Sequence, residues 1–375
     1  VNATPSADGA AVPVAVELVR VRVPLRNAHR SRRSAEAVRD SVLVAWTGPD
    51  GVTGWGECPT PAAPGYATET TDEAWAALVG VLGPAALAGR PATVVGTVAA
   101  AGALADAALD ARLRAAGRSL SEHLGASAAV VPRCAVLAEV GVAPAEVARR
   151  AAEAVAGGAS MVKVKVAPGH DVAVVAAVRE TVEVPVAADA NGGDPSWWIG
   201  GRPAGALAGL DELGLAYLEQ PMPAGSTWDE LARGRDALRT PVALDESLRS
   251  PDAVRDAARA GALDAASVKP ARLGGVERAA LAVAVAAEAG IDAFVGGMFE
   301  LGIGRAGAAA VAALAGCTLP TDLGPSAAYV DRDVCDPVVV GAGGGLVVPT
   351  GPGCGRSPDP ARLDELAVDR VVLHR

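Results

Sequence analysis

From about residue 133 the chain alternates short apolar runs with longer amphipathic ones. The short runs are VKVKV (162–166), VPVAADA (184–190), LAYLEQP (215–221), TPVALDES (240–247), AASVKPA (265–271) and DAFVGGM (292–298). Between them lie stretches of helical spacing such as VAVVAAVRETV (172–182) and PDAVRDAARAGA (251–262). The runs end at Lys165, Asp189, Glu219, Asp245, Lys269 and Gly296, so by subtraction they recur every 24, 30, 26, 24 and 27 residues. That cadence is one of βα units, common to an open doubly wound sheet and a closed barrel.

The part before it reads differently. VAVELVRVRV (14–23) and SVLVAWTGPDGVTGWGEC (41–58) are strand-like, and Pro49-Asp50-Gly51 supplies a hairpin turn in the second. TTDEAWAALVGVL (70–82) and AAGALADAALDARLRAAG (100–117) have helical spacing, and Thr71-Asp72-Glu73 resembles a helix start with acidic residues in its first turn. The expected organisation is an α+β unit over residues 1–125, a βα series over 126–324, and a Gly/Pro-rich segment over 325–375 that returns to pack on the first unit.

Polar residues at the run ends decide between sheet and barrel. Five consecutive strands ending in charge would lie along a line of about 20 Å in an open sheet, at ~4.8 Å per strand, and could not meet at one site. In a barrel the strand ends surround a common mouth. The sequence therefore predicts an α/β fold, a modified TIM (β/α)-barrel with a capping unit.

Composition narrows the partner. Half the chain is hydrophobic (51%) but only 3% is aromatic, so the core is built of small side chains packed closely. A net charge of −10 argues against a nucleic-acid or anionic-membrane partner, which needs a basic face, and favours a small molecule. Mean hydropathy is +0.29. The longest uncharged apolar stretch, from Ala92, nevertheless holds only about 14 residues against the ~20 of a spanning helix. Residues 1–17 have no basic leader region, and the five scattered cysteines show no C-x-x-C. A cytoplasmic protein with reduced thiols is expected.

Asp189, Glu219 and Asp245 come from three successive strands, so a barrel brings three carboxylates together, and these repel unless a cation sits among them. Taken singly, each is equally a helix cap. Taken together they suggest Mg²⁺, with Mn²⁺ as a substitute. VKVKV raises a further point: a surface strand would put its lysines in water, whereas a barrel strand points Lys163 and Lys165 into the mouth and its valines at the helices. Lowering a lysine pKa from about 10.4 to about 7–8 for general-base work takes roughly 4 kcal/mol, which like-charge repulsion from Lys163 and burial would supply to Lys165. Lys269, four strands on, approaches from the opposite side. A cation holding a substrate carboxylate between two lysines suits removal of the proton on the adjacent carbon through an enediolate, a pattern known for Lys bases with Mg²⁺.

At these residues the chain resembles the muconate-lactonizing branch of the enolase superfamily, and within it the o-succinylbenzoate synthase and N-succinylamino acid (N-acylamino acid) racemase group. The resemblance runs through VTGWGECPTPAAPGYATETTDEAW, VKVKVAPG, ADANGG, LEQPMP, ALDESLRS, SVKPARLGG, GGMFELGIGRAG and TLPTDLGPSAAYVDRDV. It implies Lys165 and Lys269 as catalytic lysines, Asp189, Glu219 and Asp245 as Mg²⁺ ligands, and Asn191 and Glu246 as groups supporting those ligands. It also implies Gly297 and Met298 in the substrate pocket, the N-terminal unit as a cap over the barrel, and a homo-oligomer. LRNAHRSRRS (25–34) should then be a specificity loop, but it is more basic than that group leads one to expect. It is either a solvated basic loop, or one arginine, taken as Arg30, pairs with a distal substrate carboxylate.

Three other readings compete. GIGRAG (302–307) fits G-x-G-x-x-G ahead of a helical run, but a dinucleotide site leaves the three carboxylates unexplained, and the amides there could instead face a substrate anion. A Schiff-base aldolase uses strand-end lysines but needs no carboxylate trio. A silent barrel kept for binding would not need all five side chains. Within the enzyme reading the same residues serve synthesis of o-succinylbenzoate, by dehydration of a succinyl-bearing cyclohexadiene carboxylate (SHCHC) in menaquinone synthesis, and racemisation of an N-succinylamino acid. The sequence leans to the synthase without excluding the racemase or both.

Overall fold

A computed structural model describes residues 12–30, 35–63 and 67–375, without the side chains of 27–30 and 35. The chain opens with β1 (Ala15–Arg30), β2 (Ala35–Thr47) and β3 (Thr53–Cys58) in an antiparallel sheet. The turn between β2 and β3 closes at Gly48–Val52, with Asp50 accepting from the Val52 amide at 3.0 Å. Most of the basic segment read as a loop is ribbon: β1 and β2 stay paired as far as Arg30 opposite Ala35, across an irregularity after Pro24.

Helix α1 (Thr71–Ala77) starts one residue earlier than its acidic pair suggests, because Thr70 is the N-cap and forms a reciprocal capping box with Glu73. Helix α2 (Val98–Ala115) lies directly on β3. Gly54 and Gly56 permit that approach: a Cβ on either would sit 2.0 Å from backbone atoms of Ala111 or Ala103.

Seven parallel strands follow: β4 (Cys134–Leu137), β5 (Met161–Lys165), β6 (Val186–Asp189), β7 (Leu218–Glu219), β8 (Val242–Leu244), β9 (Ala265–Val268) and β10 (Asp292–Val295). Each pairs with the next in chain order. Helices such as α3 (Pro144–Ala156) and α4 (Val172–Thr181) cover the outside. The cadence of the sequence is therefore that of the fold.

Among the described residues no regular eighth strand closes the ring, but residues 319–322 do so as an extended stave. On one side the amides of Leu319 and Asp322 donate to Ala293 and Val295 of β10, at 3.1 and 3.0 Å. On the other, Cys134 of β4 donates to Thr321 at 2.8 Å and Thr321 donates to Pro132 at 2.9 Å.

Side chains alternate as a barrel strand requires. Val162, Val164 and Val166 pack with Val174, Val175 and Val178 of α4, while Lys163 turns inward. The interior floor consists of Cys134, Met161, Ala187, Tyr217, Ala243, Ala265 and Phe294. Tyr217 and Phe294 stack at 5.3 Å, so the few aromatics go where the alanines leave room. Residues 302–312 form helix α5 (Gly302–Ala312). The chain ends in β11 (Ala367–His374), antiparallel to β1, which makes the order of the capping sheet β11-β1-β2-β3. Among the described residues no helix is long and apolar enough to cross a membrane.

Candidate active site

The β5, β6 and β7 ladder puts Lys165 opposite Asp189 and Asp189 opposite Glu219, so these three stand at one height on adjacent strands. Asp245 and Lys269 follow directly after β8 and β9. Counting the closing stave, β5 and β9 lie four strands apart in a ring of eight, on opposite sides of the mouth. Asp189, Glu219, Asp245, Lys163 and Lys269 are all buried and Lys165 partly so.

The charged side chains pair within the mouth. Lys163 Nζ donates to Glu219 Oε2 and to Asp322 Oδ2, and lies 5.2 Å from the centre of the Phe294 ring. Lys269 Nζ donates to Asp245 Oδ2 at 2.7 Å, and Arg272 Nη1 holds Oδ1 of the same carboxylate. Asp189 accepts from the backbone and side-chain amides of Asn191, at 2.9 and 3.2 Å, and that side-chain amide also reaches Glu246 Oε1 at 3.4 Å. Asn191 thus links two acids, Asp189 and Glu246.

Electrostatics follow from this pairing. Burial disfavours the Lys163 ammonium, but Asp322 and Glu219 outweigh it and hold its pKa well above that of free lysine. Burial pushes Glu219 and Asp322 upward while the Lys163 ammonium opposes it. Lys163 itself is thus paired with two carboxylates. Asp245 experiences burial too, yet Arg272 and Lys269 keep it well below the usual carboxylate range.

Backbone strain gathers at the same mouth. The three non-glycine residues with positive φ among those described are Asn191 (45°), Gln220 (42°) and Phe299 (60°), each just beyond a strand end. Gln220 is fully buried, and its side-chain oxygen Oε1 accepts from the Asp245 and Ser247 backbone amides at 3.0 and 3.2 Å, fixing the turn that carries Asp245. Gly296 is equally placed: a Cβ there would lie 2.7 Å from Lys269 Cε. Gly297 follows at the mouth, and Met298 is buried with its amide donating to Glu300 at 2.9 Å.

Among the described residues no three His, Cys, Asp or Glu side chains stand together as a ready metal cage. The donors fit a hard divalent cation in kind: three buried carboxylates on successive strands, with Glu246 Oε2 and Asp322 Oδ1 buried and without hydrogen-bond partners among the described residues. The side chain of Arg30, like Arg32 and Arg33, lies outside the described residues. Arg26 faces solvent and pairs with Asp331 at 2.8 Å.

GIGRAG is not an anion site. The amides of Leu301 and Gly304 donate to Glu57 at 2.8 Å each, and the Gly302 amide donates to Asp333 at 2.9 Å, so the start of α5 is filled by the chain's own carboxylates. Neither a pyrophosphate nor a substrate anion faces them, which corrects the alternative placed there.

Asp322, Arg272 and Gln220 escaped sequence reading. Asp322 had a signal, since it lies 26 residues after Gly296 and so continues the cadence. Arg272 sits three residues after Lys269, within the SVKPARLGG motif. Gln220 gave none, because its role is a left-handed turn.

Residues 146–362 match the family described as Enolase C-terminal domain-like. The chain is 38% identical to an N-succinylamino acid racemase of Amycolatopsis sp., over 96% of this chain and 98% of that one. It is 34% identical to an o-succinylbenzoate synthase of Geobacillus stearothermophilus, over 90% and 91%. A solved structure described as a probable mandelate racemase from Alicyclobacillus acidocaldarius superposes with a TM-score of 0.84 at 33% identity, covering 96% and 98%. With five charged side chains ringing one barrel mouth and likeness along nearly its whole length, this chain belongs to the enolase superfamily.

Proposed function

We propose that the protein removes and returns the proton next to a carboxylate, and that its reaction is racemisation of an N-succinylamino acid or a related N-acylamino acid. The observation that carries this is the placement of Lys165 and Lys269 on opposite sides of one mouth. A 1,1-proton transfer with inversion needs one base on each face of the carbon. The Lys165 side chain makes no hydrogen bond or ion pair with the described residues, which leaves its Nζ open to a substrate. Lys269 is oriented by Asp245 and delivers the proton from the other face.

Asp189, Glu219 and Asp245 would hold Mg²⁺, or Mn²⁺ in its place. When bound there, such an ion would supply positive charge against the negative charge that develops on the substrate carboxylate. Met298 and Gly297 border the pocket, and Arg30 remains a candidate partner for a distal succinyl carboxylate. The capping unit, with boundaries near residues 125 and 324, would close over the mouth.

The sequence leans to the synthase, but the more identical of the two relatives above is a racemase, at 38% against 34%, and this favours racemisation. o-Succinylbenzoate synthesis stays as the second reading because the same lysines serve it. The test is to assay purified protein separately with N-succinyl-L-phenylalanine and with SHCHC in D₂O. Loss of optical rotation with Cα deuteration is expected for the first. Turnover of SHCHC alone would transfer the assignment to the synthase.

A further inference from the structure

Asp322 lies on the irregular stave that closes the barrel, and it is the second carboxylate on Lys163. Its other oxygen, Oδ1, is buried and has no hydrogen-bond partner among the described residues. The first carboxylate on Lys163 belongs to Glu219, a candidate cation ligand. A buried ammonium that loses its only partner is strongly destabilised. Glu219 can therefore turn to a divalent ion only if Lys163 keeps another anion.

We infer that Asp322 is a positioning residue that retains Lys163 when Glu219 is given up to the metal, so that the internal ammonium and the divalent cation exchange places on Glu219. This rests on the metal-dependent reading above and adds to it a determinant of cation affinity outside the three ligands. Asp322 needs no contact with the ion for this role. Its work is done through Lys163, which remains charged and fixed beneath the mouth in both states.

The experiment is calorimetric titration of the full-length protein with Mg²⁺ and with Mn²⁺, with no substrate present. Asp322→Asn should raise the dissociation constant about tenfold or more, because Lys163 then has Glu219 as its sole carboxylate. Asp322→Glu should restore most of the affinity. The decisive comparison adds Lys163→Met: with the ammonium removed, introducing Asp322→Asn should change affinity by less than about twofold. An equal loss in both backgrounds would overturn the proposal and mark Asp322 as a simple source of negative charge. Unchanged affinity in Asp322→Asn alone would overturn it as well. Since Lys163→Met/Asp322→Asn removes both buried charges together, it keeps the comparison available if the single variant folds poorly. A wild-type protein that binds neither ion would overturn the metal reading and this inference with it, an outcome distinct from binding that ignores Asp322.

Discussion

Each side chain at the mouth is identified by its partner. Lys165 and Lys269 are both amines on strand ends, but the first has no side-chain hydrogen bond or ion pair among the described residues and the second is bound to Asp245. If each serves one face of the substrate carbon, Lys165→Met and Lys269→Met should each lower racemisation by at least about 10²–10⁴-fold. Each variant should still exchange the Cα proton of one enantiomer, a different one in each case, and NMR of the two enantiomers in D₂O checks this. Gly296→Ala tests packing at the same place. Its new Cβ would press on Lys269 Cε at 2.7 Å and Ser267 Oγ at 3.1 Å. Overpacking of this kind costs about 1–3 kcal/mol, and if Lys269 serves as proposed, displacing its amine should lower kcat by about tenfold or more. Thermal melting and steady-state kinetics would record the two effects separately.

At the scale of elements, the join between cap and barrel is made by Glu57 of β3. It accepts from Leu301 and Gly304 at the start of α5, and from Ser41 Oγ at 3.0 Å. Burial pushes its pKa up to about 7, with Glu300 and Asp333 adding to the effect and the two amides opposing it. The sign follows from linkage: a carboxyl whose folded pKa is raised contributes its full stability below the unfolded value of 4.5 and loses it as pH climbs through about 7. Wild type should thus lose up to about 3 kcal/mol relative to Glu57→Gln between pH 4.5 and 8, read from denaturant midpoints across that range. Glu57→Ala, which strips α5 of its acceptor, should be less stable than Glu57→Gln at every pH.

At the scale of the whole molecule, the cap is a sheet completed by the end of the chain. β11 covers the edge of β1 and brings Leu373 against the helices packed on the sheet. Truncation after Leu366 should lower the melting midpoint by about 5 °C or more and raise KM more than it lowers kcat, because under the proposed function the cap would enclose the substrate and take no part in proton transfer. Dialysis against EDTA should abolish turnover, and Mg²⁺ should restore it. Restoration would separate the enolase-type mechanism from a Schiff-base one.

The cadence of apolar runs, with charge at their ends, carried the barrel and the candidate lysines and carboxylates, because strand period and side-chain alternation are local properties of the chain. Which partner each charge finds was not local. Lys163 and Asp322 stand 159 residues apart and Glu57 and Leu301 stand 244 apart, so only closure of the ring and docking of the cap put them in contact. The same holds for GIGRAG, where a pattern that fits a phosphate was filled by two of the chain's own carboxylates. A sequence fixes which groups reach a strand end. Their distances to distant groups, and hence their charge states, belong to the tertiary structure, because Coulomb energy and desolvation depend on separation through space.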